Sequence, residues 1–222
     1  MKISLPGSDQ VIQPGKLLCI GRNYARHAAE MKSEVPTTPI VFLKPATALV
    51  ADGGVVVLPS MAQVVHHEVE LVAVIGRGGK NIPRSEALDH VGAYAVGLDM
   101  TARDIQSTAK QKGQPWSVAK GFDTFAPLGS LVPSTEINDP QNMVIRLTVN
   151  GETGQEANTR DMIFPVAELV AYCSRIFTLQ TGDLLYTGTP EGVGAVEVGD
   201  VLEATVTGLP PLRVTVQQEE ER

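Results

Sequence analysis

The sequence has 222 residues, 43% of them hydrophobic and 19% charged, with a formal net charge of -7. That length supports one sizeable core, with residues 1–222 expected as a single domain. The acidic balance disfavours a general nucleic-acid surface while leaving room for a local basic pocket.

The N-terminal Met1-Lys2-Ile3-Ser4-Leu5-Pro6-Gly7 lacks the apolar stretch of a secretion signal, and no apolar run approaches the ~20 residues of a membrane span. A cytoplasmic protein with no membrane partner is expected. Cys19 and Cys173 lie in apolar surroundings without metal-ligand spacing, so they are expected as buried free thiols. The 21 glycines and 15 prolines are scattered, which predicts many turns and short strands rather than a helix bundle.

Lys16 to Ile20 reads as a strand running into Gly21-Arg22-Asn23-Tyr24-Ala25-Arg26-His27-Ala28-Ala29-Glu30. Asn23 is a candidate cap for a short helix. On that helix His27 and Glu30, three residues apart, share a face. A carboxylate beside an imidazole orients it as a general base, although a surface ion pair has the same spacing. Ser33 to Pro39 reads as a loop, Ile40 to Leu43 as a strand ending at Lys44-Pro45, and Val55 to Leu58 as another.

His66-His67-Glu68-Val69-Glu70-Leu71-Val72-Ala73-Val74-Ile75 begins as polar chemistry and ends as a core strand. Strand alternation puts Glu68 and Glu70 on one face. Two carboxylates there repel each other, and a divalent cation such as Mg²⁺, Mn²⁺ or Ca²⁺ would relieve the conflict. A solvated strand end is the plain alternative. A zinc hydrolase centred on His66-His67-Glu68 fails for want of HExxH spacing and a third nitrogen ligand.

Further along, Pro83 to His90 reads as helical with Ser85 as cap, and Val91 to Leu98 as a strand closing on Asp99. Arg103 and Gln106 are three apart on a helix start and can reach one ligand together. Trp116 is expected in the core. Lys120, among small residues, is either held in a pocket or reaches to solvent. Asn150-Gly151 is the best hairpin turn in the chain, and Gln155 to Ile163 is a polar run. Pro165 to Phe177 is the best amphipathic helix, with Val166, Leu169, Val170, Cys173 and Ile176 on one face. Gly188-Thr189-Pro190-Glu191-Gly192-Val193-Gly194 is a glycine-rich loop able to bring backbone N–H groups close to an anion.

GRNYARHAAEM, HHEVELVAVIG, LDMTARDIQ, WSVAKGFDTFAPLG and TGTPEGVG, in this order between about Leu18 and Val201, resemble the fumarylacetoacetate hydrolase family. The match is best with its short branch of acylpyruvases, oxaloacetate decarboxylases and oxaloacetate tautomerases. The resemblance implies an α+β fold, a mixed β-sandwich roll with short flanking helices. It implies Glu68, Glu70 and Asp99 as ligands of Mg²⁺ or Mn²⁺, and Lys120, His27 and Glu30 as catalytic residues, the last two on a lid helix. It implies Arg103, Gln106 and Thr189 as substrate-binding residues, a small 2-oxo acid as substrate, and a homodimer. The N-terminal SH3-like domain of longer members has no counterpart, so action on fumarylacetoacetate itself is not expected. Of the branch's reactions, hydrolysis of an acylpyruvate through a metal-stabilised enolate ranks first, with oxaloacetate tautomerisation or decarboxylation close behind. A catalytically silent metal-binding homologue is the reading from outside enzymology, and the intact His27, Glu30 and Lys120 argue against it.

Overall fold

Val69–Ile75 forms the centre of the main sheet, and every one of its residues is buried. The computed structural model describes residues 1–7 and 11–220. In the main sheet the strands run in the order Ile40–Lys44, Leu17–Gly21, Leu184–Tyr186, Val69–Ile75, Val91–Leu98, Ala126–Leu128, Leu49–Ala51. Leu184–Tyr186 is parallel to Leu17–Gly21 and antiparallel to Val69–Ile75. A second sheet runs Glu152–Asn158, Val144–Val149, Val201–Val206, Leu212–Gln218, Val55–Leu58. The helices are few and short, so the expected α+β sandwich roll is what the chain builds.

Side-chain alternation divides the Val69–Ile75 strand between two apolar layers. Val69, Leu71, Ala73 and Ile75 pack in the larger core with Ile145, Leu147, Leu202 and Val214 of the second sheet. Val72 and Val74 pack in a smaller core with Leu17, Cys19 and Tyr186. Burial on both faces explains why the strand reads as a continuous apolar run. By the same alternation Glu70 continues the row of Val72 and Val74.

Asn150 and Gly151 hold φ of 52° and 87°, the paired left-handed conformations of a tight hairpin turn, and they join Val144–Val149 to Glu152–Asn158. The amphipathic helix spans Val166–Ile176 and buries Val166, Leu169, Val170 and Cys173. Ile176, expected on that face, is instead 49% exposed, because the helix ends there and Phe177 turns extended. Two expected caps are absent. The Ala25–Glu30 helix starts at Tyr24 without a side-chain cap, and Arg84–His90 is a 3-10 helix entered from Pro83. Asn23 is committed elsewhere: it donates to the Phe164 and Thr187 carbonyls and accepts from the Phe164 amide. It fixes the entry to the first helix by tertiary bonds rather than by capping.

No helix among the described residues is long and apolar enough to cross a membrane.

Candidate active site

Glu68 occupies the single-residue break between the strands Val65–His67 and Val69–Ile75. Asp99 follows directly on Val91–Leu98, and its amide donates to the Glu68 carbonyl at 2.8 Å. Glu70 lies one step inside its strand, opposite Gly97. One carboxylate oxygen from each of Glu68, Glu70 and Asp99 lies within 4.8 Å of the other two, and all three residues are buried.

Three carboxylates brought out of water need compensation. Lys120 Nζ bridges two of them, at 2.8 Å from Glu68 and 2.6 Å from Asp99. Arg103 pairs with the other oxygen of Glu68. Lys44 Nζ meets Asp99 Oδ1 at 2.6 Å and also donates to the carbonyls of Met100 and Phe125. Burial alone would raise the Glu68 pKa, but Lys120 and Arg103 outweigh it and hold the carboxyl well below the usual carboxylate range. Lys120 is likewise kept protonated, since Asp99 and Glu68 outweigh its own burial.

Glu70 is the exception. Its Oε2 accepts the Gly188 amide at 2.8 Å, and among the described residues no lysine or arginine pairs with it. Burial first, then Asp99 and Glu68, push its pKa well above the carboxylate range. A buried carboxylate lacking a cation, facing two more carboxylates, fits a divalent ion with hard oxygen ligands.

The His27–Glu30 pair sits beside this cluster. His27 is buried, its Nδ1 lies 3.1 Å from Glu30 Oε2, and the other Glu30 oxygen accepts the Gly192 amide at 3.0 Å. A carboxylate only accepts, so this contact sets the proton on Nδ1 and leaves Nε2 as a base. The glycine-rich loop does bring backbone N–H groups to anions, and the anions are the protein's own Glu70 and Glu30. Gly188 and Gly192 hold φ of 99° and 89°, conformations that glycine adopts without strain.

His27, Glu68, Arg103, Gln106, Lys120 and Thr189 all line one small cavity. Its free volume is about 20 Å³, space for about one water molecule. Arg103 Nη1 donates to Gln106 Oε1 at 2.7 Å, as their three-residue spacing suggests. Trp116 is not a core residue. It stands at the cavity edge with its ring 5.6 Å from that of Phe42.

Two residues escaped sequence reasoning. Lys44 carried a faint signal, a lysine ending an apolar strand. Gln155 lies in what reads as a polar run, yet it is buried on the second strand of the Asn150-Gly151 hairpin. Its Oε1 faces Val69 N and His67 Nδ1, each at 3.0 Å, and its Nε2 donates to Thr189 Oγ1 and the Pro190 carbonyl, each at 2.9 Å. Gln155 thereby ties the carboxylate strand to the glycine-rich loop. His67 supports this link rather than the carboxylates directly, and burial lowers its pKa.

Residues 16–217 match the family model described as fumarylacetoacetate (FAA) hydrolase C-terminal. The chain belongs to the fumarylacetoacetate hydrolase family. Within that family it is 48% identical, over 93% of its length and 92% of the relative's, to the mitochondrial oxaloacetate tautomerase FAHD1 of Arabidopsis thaliana. It is 44% identical to the human protein of the same name, with 92% of each chain covered. Among solved structures of this fold, the fumarylpyruvate hydrolase of Pseudomonas aeruginosa in complex with Mn²⁺ and pyruvate superposes with a TM-score of 0.92 at 44% identity. That match covers 99% of this chain and 96% of the other.

Proposed function

We propose that this family member is a divalent-metal-dependent enzyme that acts on a small 2-oxo acid through its enolate, and that its first reaction is keto–enol tautomerisation of oxaloacetate. One observation carries the reading: Glu68 of the carboxylate cluster, Lys120 and His27, itself held by Glu30, line a single cavity. Glu68, Glu70 and Asp99 would hold Mg²⁺ or Mn²⁺. Such an ion, when bound, polarises a ketone and acidifies the carbon beside it.

His27 Nε2 removes a proton from that carbon, and Glu30 stabilises the imidazolium so formed. The Lys120 ammonium donates a hydrogen bond to the enolate oxygen. Return of the proton to oxygen gives the enol, and return to carbon regenerates the ketone. Arg103, Gln106 and Thr189 orient the substrate. The cavity is too small for a 2-oxo acid as it stands, which supports the assignment of the Ala25–Glu30 helix as a lid that moves on binding. A homodimer is the assembly that the family resemblance points to.

Tautomerisation is placed ahead of hydrolysis, the reverse of the order expected from the sequence, because two relatives at 48% and 44% identity carry that activity in their names. Acylpyruvate hydrolysis is the second reading, favoured by the fumarylpyruvate hydrolase match and by a dyad suited to activating water. There His27 takes a proton from water as the oxygen adds to the distal acyl carbonyl; the C–C bond then breaks, the acyl group leaves as its carboxylic acid and pyruvate as its enolate, to which His27 returns the proton. A panel of both oxaloacetate tautomers, acetylpyruvate and fumarylpyruvate, assayed with Mg²⁺, with Mn²⁺ and with EDTA, separates the two. Metal-dependent cleavage of an acylpyruvate without tautomerisation would overturn the first reading, and no metal-dependent reaction on any of the four would overturn both.

A further inference from the structure

Arg22 and Lys110 border the same cavity and have no part in the chemistry above. Arg22 follows the Gly21 end of its strand and holds a φ of 56°, a left-handed conformation that is strained for a residue with a side chain. Its Nε is buried without a hydrogen-bond partner. Lys110 stands at the mouth, with Nζ 5.2 Å from the centre of the Trp116 ring.

The charges round the cavity do not balance. Arg22, Arg103, Lys110 and Lys120 line it, against one lining carboxylate, Glu68. Glu68 is already paired with both Arg103 and Lys120. Among the described residues neither Arg22 nor Lys110 has an acidic partner. Two unmatched cations at one mouth, one of them a guanidinium with a buried free N–H, make a site for a carboxylate. A metal held by Glu68, Glu70 and Asp99 would engage the 2-oxo acid end of such a substrate and leave a second carboxylate to be held by the protein.

We infer that Arg22 and Lys110 form a subsite for the second carboxylate of a dicarboxylic 2-oxo acid, and that they select dicarboxylates over monocarboxylates such as pyruvate. The inference rests on the function proposed above. It assigns Arg22 and Lys110 to recognition and His27 and Lys120 to chemistry.

The test compares wild type, Arg22→Met, Lys110→Met and the charge-keeping Arg22→Lys. Calorimetry with Mn²⁺-loaded protein gives pyruvate affinity, and steady-state tautomerisation gives KM and kcat for oxaloacetate. Loss of either cation raises the oxaloacetate KM about tenfold, the loss of roughly one charge-assisted hydrogen bond. It leaves kcat within about twofold and the pyruvate affinity unchanged, and Arg22→Lys recovers part of the loss. Lys110 is exposed, so its replacement leaves the fold intact and keeps the test decisive if Arg22→Met misfolds. Equal weakening of pyruvate and oxaloacetate, or no effect on either, overturns the subsite while the functional reading stands. Failure of the Mn²⁺-loaded wild type to tautomerise oxaloacetate overturns that reading and the subsite with it.

Discussion

Glu30 accepts a hydrogen bond from the Gly192 amide at 3.0 Å while its other oxygen meets His27. The orientation of the base therefore depends on a loop 162 residues away in sequence. Gly192 has a φ of 89°, and a β-carbon there would lie 2.2 Å from the Gly154 carbonyl oxygen. Gly192→Ala is expected to destabilise the fold by about 1–3 kcal/mol and to lower kcat by displacing Glu30. Urea midpoints and turnover check this, and an alanine variant with wild-type values for both would refute the coupling.

His27→Ala separates the two candidate reactions from decarboxylation. Loss of a general base costs about 10²–10⁴-fold, so tautomerisation and acylpyruvate cleavage should both fall by that factor. Metal-assisted loss of CO₂ from oxaloacetate needs no base and should largely survive. Product analysis by NMR reads all three. Wild-type tautomerisation by the alanine variant would move the proton-carrying role from His27 to Lys120.

Glu70→Gln should have opposite effects on the metal-free and metal-loaded proteins. The amide keeps an acceptor for the Gly188 N–H while removing a buried carboxyl whose ionisation burial, Asp99 and Glu68 all oppose and that no lysine or arginine pairs with among the described residues. The metal-free variant should be at least as thermostable as wild type, whereas affinity for Mn²⁺ should fall at least about tenfold. Calorimetry and thermal scans in EDTA measure the two effects. Unchanged Mn²⁺ affinity would rule Glu70 out as a ligand.

The strand around Val69, the His27–Glu30 spacing and the Asn150-Gly151 turn were legible because each is a local pattern, set by alternation, by helical spacing or by a left-handed turn. The convergence of Glu68 and Glu70 with Asp99 came from the family resemblance. Lys44 was missed because its carbonyl partners lie 56 and 81 residues away, so nothing near it in sequence marks it as buried. Gln155 was missed for a similar reason: its bonds reach back to His67 and Val69 and forward to Thr189, and its immediate neighbours are polar. Asn23 looked like a helix cap because the cap preference is local, yet the Phe164 backbone and the Thr187 carbonyl compete for the same side chain and win it.

Lys120→Ala should slow every reaction the enzyme catalyses, because the enolate is common to them. It also leaves the buried Glu68–Asp99 pair without its bridging cation, so the metal-free variant should lose about 3–5 kcal/mol of stability, with Mn²⁺ restoring part of it. Urea titrations with and without Mn²⁺ check the second effect. Loss confined to a single substrate would refute the shared role.

Cys173 is fully buried on the Val166–Ile176 helix, and burial pushes its thiol from the usual 9.0 to about 12. The folded state holds this proton more tightly than the unfolded one, so the associated stability is full below pH 9 and is lost as pH rises toward 12. Urea midpoints of the wild type should fall more steeply between pH 9 and 11 than those of Cys173→Ala. Parallel slopes would refute the burial effect. At pH 8 a thiol reagent should react with Cys19 and Cys173 only after unfolding.

Leu184–Tyr186 is three residues long, but it is the strand that joins Leu17–Gly21 to Val69–Ile75. Synthesis delivers those two partners first. Until residue 184 has left the ribosome, both have open backbone edges on apolar strands, the form of a nascent chain most prone to pair with another copy. The last-made strand of the main sheet is thus its keystone, and a chain stalled before it is a candidate chaperone client with an incomplete active site.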